Sequence, residues 1–458
     1  MASRKKQVAP TESPEQPEVV NAFPTKELFI YMLVKDITLI PAIKDLVDNS
    51  VDGARRIKTN GDFRSLWIRV EFNGDRFKIS DNCGGIDNDI ARKYAFRFGR
   101  PEEAGQQKHS IGQFGVGMKR SLFKMGSKFE VNSIAERSWF DLKVDVNEWK
   151  KDPKKWQFVF KAYEDDKRQA AAKRGTTIIV TELHPGVSEE FQSDAFETEL
   201  VAELQDAHRE AIDSRLAITI NGVPLQTQPL TLLDSKELKP AFVKKTVSAK
   251  DKKDVTVRLY AGMSKSKADQ DAAGWYIFCN GRLIVAADQT SLTGWGEGAT
   301  KRIPKFHPQF SMFRGYVFFD SDDAQLLPWN TMKTGIDTDS PLYRAIKLEM
   351  MTLMRPVLDF SYKWDAEKDR FEEDEGPLHT AVNSAMEVRL RDVKPNATFV
   401  PPKPPPPKKT DPKVTKISYS VPEAQFATVK KHLHARSGKE VGEKTFEYYY
   451  EMECGEDG

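Results

Sequence analysis

The chain has 458 residues, enough for two or three domains with cores of their own. Hydrophobic residues make up 39% and charged residues 30%, a balance that excludes a disordered or membrane-embedded class. Lysine and arginine total 70 against 68 aspartate and glutamate, so no global field selects nucleic acid or acidic lipid, and only a local basic surface stays open.

Residues 1–20 read as a disordered polar tail without the apolar stretch of a secretory signal. A long helical pattern follows, ELFIYMLVKDITLIPAIKDLVDNSVDGARRI. LWIRVEFNGDRFKISD then gives two strand-like runs around an Asn73-Gly74 turn, with Asp81 closing the second. DNDIARKYAF reads as a helix capped by Asn or Asp. A glycine-rich stretch, IGQFGVGM, leads into the helix MKRSLFKMG, and strands return at KFEVNSI, SWFDLKVDV, WQFVFKAY and GTTIIVTEL. Helix, hairpin, helix and several strands make an α+β sandwich pattern.

A helical stretch at 188–214 opens a second region, with strands LAITING, DVTVRLYAGM, GWYIFCNGRLIVA and FRGYVFFD and the helix SPLYRAIKLEMMTLMRPVLDF. Past about residue 363 the chain turns acidic and helical, then enters KPNATFVPPKPPPPKKTDPKVTK. That segment reads as a semi-rigid linker, or as a ligand for a proline-recognition domain or a basic contact to nucleic acid. Residues 416–458 read as a small βαβ-like module around AQFATVKKHL. The expected divisions are therefore 1–20, 21–187, 188–362, 363–415 and 416–458. Cys83, Cys279 and Cys454 are too few and too scattered for a disulfide framework or a zinc cluster. No run of 18 apolar residues offers a membrane span, and the expected location is cytoplasmic.

Three stretches point to chemistry. In AIKDLVDNSVDGA, helical spacing puts Ile43, Leu46, Val47, Ser50 and Ala54 on one face and Asp45, Asp48, Asn49 and Asp52 on the other. An amphipathic helix with a solvated polar side gives the same pattern. Yet acids without an interleaved base repel, and Asp and Asn are poor helix formers, so the stretch calls for something cationic or hydrogen-bonding. Carboxylates and a carboxamide are hard oxygen ligands suited to a magnesium–phosphate site. In KISDNCGGID a strand ends in an acid followed at once by glycines, which a simple turn also explains. In IGQFGVGM, glycines run into a helix start and expose backbone N–H groups to a phosphate.

In this order the stretches resemble the GHKL ATPases, the group of DNA gyrase, the large heat-shock chaperone, sensor histidine kinases and MutL. DLVDNSVDGA, DNCGGI, IGQFGVGM and RGTTIIVTEL are similar to its successive motifs over about residues 25–183. The resemblance implies a Bergerat-type ATP-binding α/β sandwich, with ATP and Mg²⁺ as cofactors. It implies that Asn49 holds Mg²⁺, that Asp45 is the general base, and that Asp81, supported by Thr176 through water, accepts the adenine amino group. Gly85 would let the base pack closely. Gly112, Gln113, Phe114, Gly115, Val116 and Gly117 would form the lid hinge and phosphate-facing turn, with residues 99–111 as the lid. Asp52 and Lys119 complete the implied nucleotide contacts. Two departures stand out: Asp45 replaces the usual glutamate and is one methylene shorter, and Cys83 occupies the place of the adenine motif's first glycine.

In the second region GWYIFCNGRLI is similar to a strand of MutL and MORC proteins, and LPWNTMKTGID resembles the loop carrying a phosphate-sensing lysine. This implies an S5-like α/β transducer domain with Lys333 as that lysine, although an exposed loop lysine is an equal reading. The implied activity is slow ATP hydrolysis driving lid closure and homodimerisation, on DNA or a nucleoprotein, in the manner of MORC or MutL and in a setting such as prokaryotic genome defence. The alternative is a non-hydrolysing ATP sensor that recruits an effector, with residues 416–458 as the partner-binding module. Turnover separates the two.

Overall fold

A computed structural model describes residues 25–35, 37–97, 117–248, 254–265, 269–298, 302–330, 333–367, 376–403 and 415–454. The N-terminal helical pattern is two helices, α1 (Lys26–Lys35) and α2 (Leu39–Ile57). The break falls where Thr38 adopts extended backbone, and Pro41 sits in the first turn of α2, where an N–H has no intrahelical partner to lose.

The strands β1 (Trp67–Phe72) and β2 (Arg76–Asp81) pair through a turn in which the Asn73 side chain accepts from the N–H groups of Asp75 and Arg76. Asp87 caps α3 (Asn88–Ile90), which continues as a π-helical turn over Ala91–Ala95. Next come α4 (Gly117–Met125), β3 (Gly126–Ile134), β4 (Trp139–Asp145), α5 (Val146–Lys151), β5 (Phe160–Glu164) and β6 (Gly175–Leu183). The chain then runs through α6 (Pro185–Glu190), α7 (Asp194–Ala207) and α8 (Arg209–Asp213) to β7 (Ala217–Ile220) and β8 (Val223–Pro224). One sheet takes all of these strands in the order β5-β4-β3-β6-β2-β1-β7-β8. Buried Val131, Phe140, Leu142 and Val180 of the sheet share a core with Ile43, Leu46, Val47 and Val51 of α2 and Leu122 of α4. Each such side chain contributes roughly 1.5–3 kcal/mol on burial. That commits the apolar side of α2 to the sheet and turns its acids away from it. The result is an α/β sandwich.

The expected boundary at 187/188 divides this sheet, because β7 (the LAITING strand) pairs in parallel with β1, Ile68 opposite Ile218. Alternating apolar residues identify a strand but not its partner, and the parallel crossover through α6 to α8 is invisible to a local reading.

The second region begins with β9 (Thr231–Asp234), β10 (Ala241–Ser248), β11 (Asp254–Met263), β12 (Gly274–Cys279), β13 (Arg282–Asp288) and β14 (Phe313–Asp320). Its mixed sheet has the order β10-β11-β14-β12-β13, with β12 and β14 parallel. The β12–β13 hairpin turns on Asn280 and Gly281, at φ 44° and 69°, the left-handed pair that a two-residue hairpin demands. The long helix α9 (Pro341–Glu367) packs across β11 and β14. An aromatic cluster of Tyr260, Tyr276, Phe278, Tyr316 and Phe318 forms a separate core, with Phe278 and Phe318 stacked at 4.6 Å.

The expected boundary at 362/363 falls inside α9. After α10 (Pro377–Ser384), β15 (Met386–Arg389) pairs with β9, and Asn396 and Val400 bridge to Phe242 and Lys239. Residues 376–403 therefore belong to the first compact unit, and the chain divides at Lys403 and Pro404 instead. Extended, proline-bearing backbone suits a sheet edge as well as a linker.

The second unit is helical among its described residues: α11 (Glu423–His432) and α12 (Gly438–Tyr449), the latter ending in a π-helical turn over Tyr450–Cys454. The expected βαβ-like module is thus corrected. FEYYYEM mimics a strand in composition, but the Ser437 cap and the Glu440–Lys444 pair support a helix. No helix of the described residues is long and apolar enough to cross a membrane.

Candidate functional site

The acids of α2 meet cations from three other elements. Asp45, 6% exposed, accepts from Arg120 of α4 at 2.7 Å through Oδ2 and from Lys333 at 3.2 Å through Oδ1. Asp48, fully buried, is paired with Arg282 of β13 and with Lys333 at 3.0 Å. Burial pushes the Asp48 carboxyl upward, but Arg282 and Lys333 outweigh it and hold the group well below the usual carboxylate range. Nearby, His208 Nε2 lies 3.7 Å from Asp48 Oδ1, and burial brings its pKa down to about 3, so the ring is neutral. The clustered charge of α2 is therefore compensated from outside the helix. Asp48, boxed in on all sides, is not placed to act as a base in place of Asp45.

Lys333 is buried, not an exposed loop lysine. Its loop follows β14 and is pinned by Asn330, whose carbonyl accepts from Lys333 N and whose side chain accepts from Thr334 N. Lys333 itself has φ 55°, an uncommon conformation for a residue with a side chain. Arg282 is aimed by the Asn280-Gly281 turn, which is locked in turn against α2. Arg55 donates to the Asn280 carbonyl, and a Cβ on Gly281 would fall 1.9 Å from Arg55 Nη2. Arg55 also pairs with Glu210 at 3.7 Å, and Arg258 joins Glu210 to Asp320 of β14. A continuous set of ion pairs thus ties the end of α2 to the second sheet.

At the other side of α2, Asp81 ends β2. Its Oδ1 accepts from Cys83 N at 2.8 Å and Thr176 N at 3.3 Å, and its Oδ2 accepts from the Ser50 hydroxyl at 2.7 Å. The Thr176 hydroxyl lies 2.9 Å from that of Ser133, which accepts from Ile86 N. Burial raises the Asp81 pKa, opposed by the three hydrogen bonds. Cys83 is accommodated because the left-handed positions of the turn fall on Gly84 and Gly85, at φ 95° and 72°. Gly53 of α2 gives way to it: a Cβ there would lie 2.5 Å from the Cys83 carbonyl oxygen. Gly85 answers to the fold as well as to any ligand, since a Cβ would fall 2.1 Å from the Ile134 carbonyl oxygen. Gly85→Ala is expected to destabilise the domain by more than about 1 kcal/mol. A fall in the urea midpoint of the purified protein checks this, and an unchanged midpoint would show that the turn adapts.

Between the two ends, Asn49 is exposed on α2, and Asp52 is buried in the same helix. Gly117 opens α4 directly against Asp45, where a Cβ would lie 3.0 Å from Oδ2. Lys119 donates to the Ala95 carbonyl at 2.8 Å, and burial lowers its pKa to about 7. Gly112, Gln113, Phe114, Gly115, Val116 and the expected lid over 99–111 lie outside the described residues. The donors fit a magnesium ion held mainly by phosphate oxygens, with one carboxamide from the protein. Among the described residues no group of three or more His, Cys, Asp or Glu could hold a metal alone.

One helix thus carries Asp45 and Asn49 on one side and a hydroxyl on Asp81 on the other, with a glycine-opened helix facing it. Residues 37–174 match the histidine kinase-, DNA gyrase B- and HSP90-like ATPase family. The match supports the GHKL superfamily for this segment, and with it ATP binding and hydrolysis as the domain's general activity. It leaves the second region, which supplies Arg282 from β13 and Lys333 from the loop after β14, outside the matched segment. No curated protein matches the chain.

Several residues of the site are given no role by the sequence alone. Ser50 is assigned there to the apolar face, yet it reaches Asp81. Arg120 is passed over beside Lys119. Arg282 stands in the quoted NGR, but nothing local links it to Asp48, 234 positions away. Ser133 and His208 carry no sequence signal.

Proposed function

We propose that the chain is an ATP-driven switch of the MORC or MutL kind, which binds ATP with Mg²⁺, hydrolyses it slowly and closes two copies around DNA or a nucleoprotein. The observation that supports this reading most is Lys333, delivered from the second region to Asp45 and Asp48 of α2. When bound, ATP and Mg²⁺ supply the triphosphate and its charge neutralisation. The protein's part is divided among few groups. Asn49 offers its exposed carboxamide to the metal, Asp81 takes the base, and Asp45 orients a water and receives its proton.

Arg120 and Lys333 now neutralise Asp45. A γ-phosphate competes with Asp45 for these cations, so nucleotide binding and release of the base are one event. Because Lys333 and Arg282 belong to the second region, that exchange is felt by the second sheet through the Arg55–Glu210–Arg258 pairs. In this reading the second sheet and α9 act as an S5-like transducer, and the helical unit after Pro404 recruits a partner protein. The sensor reading draws on the same Asp45 contacts, which engage both oxygens of a short carboxylate.

Sedimentation of the full chain with and without a non-hydrolysable ATP analogue tests the switch. The expected result is a nucleotide-dependent dimer that Lys333→Ala weakens at least tenfold. A dimer indifferent to nucleotide, or to Lys333, contradicts it.

A further inference from the structure

We infer that His208 takes up a proton when a triphosphate binds, and that the imidazolium then replaces Lys333 on Asp48. This rests on the reading of Lys333 as the lysine that a γ-phosphate draws away. Both cations that now hold Asp48, Arg282 and Lys333, do so through Oδ2. Oδ1 has no hydrogen-bond partner, and neither has Nε2 of His208, which faces it at 3.7 Å. That separation is too long for a hydrogen bond and too short to seat a water between the two atoms. Asp48 is fully buried and His208 is 1% exposed. Native proteins seldom leave two such atoms facing each other unpaired.

The turn that carries His208 joins α7 to α8, and both helices pack against β13. Burial opposes a charged ring, as do Arg282 of β13 and Lys44 and Arg55 of α2, while Asp48 favours it. With Lys333 sharing Asp48, the balance leaves the ring neutral. Two of the opposing cations have acids of their own, Glu203 for Lys44 and Glu210 for Arg55. Glu210 also takes Arg258, and Arg209, beside His208, pairs with Asp206. Arg282 is the opposing cation whose acid is Asp48 itself. Once Lys333 leaves, Asp48 keeps one cation on Oδ2, and the buried charge lacks compensation on the side of Oδ1. An opposite charge in hydrogen-bonding reach favours the protonated imidazole. Closing the gap by about 0.8 Å makes the contact a charge-assisted hydrogen bond. The proton comes from water and binds Nε2, Lys333 keeps its own, and Asp48 stays ionised. The cluster thus gives one positive charge to the phosphate and regains one. His208 is a positioning residue: it acts on Asp48 and does not touch the nucleotide.

The test is isothermal titration of the full-length protein with a non-hydrolysable ATP analogue and with ADP, each with Mg²⁺. Titrations at about pH 7 in two buffers of different ionisation enthalpy count the protons taken up. The wild type is expected to take up about one more proton with the analogue than with ADP. Its affinity for the analogue should fall by up to about tenfold per pH unit as pH rises, with ADP little changed. His208→Asn and His208→Gln, checked for folding by thermal melts, should lose the extra uptake and flatten the pH profile. Equal proton counts for the analogue and ADP in the wild type would overturn the inference without any variant. Extra uptake that survives in a folded His208 variant would overturn it as well. If neither nucleotide binds, or if Lys333→Ala binds the analogue as tightly as the wild type, the reading of Lys333 fails and the role of His208 with it. If Lys333→Ala weakens the analogue while the wild type takes up no extra proton, only the role of His208 fails.

Discussion

Asp45→Asn is expected to lower ATP turnover by about 10²–10⁴-fold without loss of ATP binding. The carboxylate is the proton acceptor of the proposed reaction, and an amide of nearly the same shape cannot take its place. Binding should hold or tighten, because Arg120 and Lys333 lose the charge they now neutralise, at 2.7 and 3.2 Å, and face a triphosphate uncompensated. Steady-state turnover beside direct nucleotide titration separates the two effects. Equal turnover in wild type and variant would remove Asp45 from the chemistry and favour the sensor. Loss of binding and turnover together would make Asp45 a structural residue.

Asp48 governs stability. Replacing it with Ala leaves Arg282 and Lys333 buried with one fewer counter-charge, and breaking a buried pair from one side costs about 3–5 kcal/mol. This is the largest effect on folding expected from any single change in the site, and urea or thermal unfolding measures it. An unchanged midpoint would mean that Arg282 and Lys333 reach water or share Asp45 without cost. The sign of the pH dependence follows from the same contacts. The folded carboxyl titrates below its unfolded value, near 3.9, so its contribution is fully present above that value. It is lost as pH falls through the lower, folded one. The Asp48→Ala variant should therefore lose part of the acid sensitivity of the wild type below about pH 4.

The sequence makes α2 legible because periodicity separates its apolar and acidic faces, and the poor helix propensity of its acids calls for cations. It does not say where the cations are. Lys333 lies 285 positions from Asp48, and only the approach of its loop to α2 brings them together. The Asn280-Gly281 hairpin is readable from its dipeptide, but its use as a clamp for Arg282 depends on Arg55 and Glu210. Ser50 is buried on the apolar face as its helical spacing predicts, but the period says nothing of the bond its hydroxyl makes to Asp81. Strand identity is easier to read than strand partnership, as β7 shows, and the expected βαβ-like module over 416–458 is helical because capping and charge spacing favour a helix at Gly438–Tyr449.

The most direct measurement is steady-state ATP turnover by the purified protein and by Asn49→Ala, with and without double-stranded DNA, beside nucleotide binding by both. Asn49 is exposed on α2 and has no part in the buried ion cluster, so its loss should spare the fold. The account predicts Mg²⁺-dependent turnover in the wild type, abolished in Asn49→Ala and stimulated by DNA. Failure of the wild type to bind or hydrolyse ATP would contradict it.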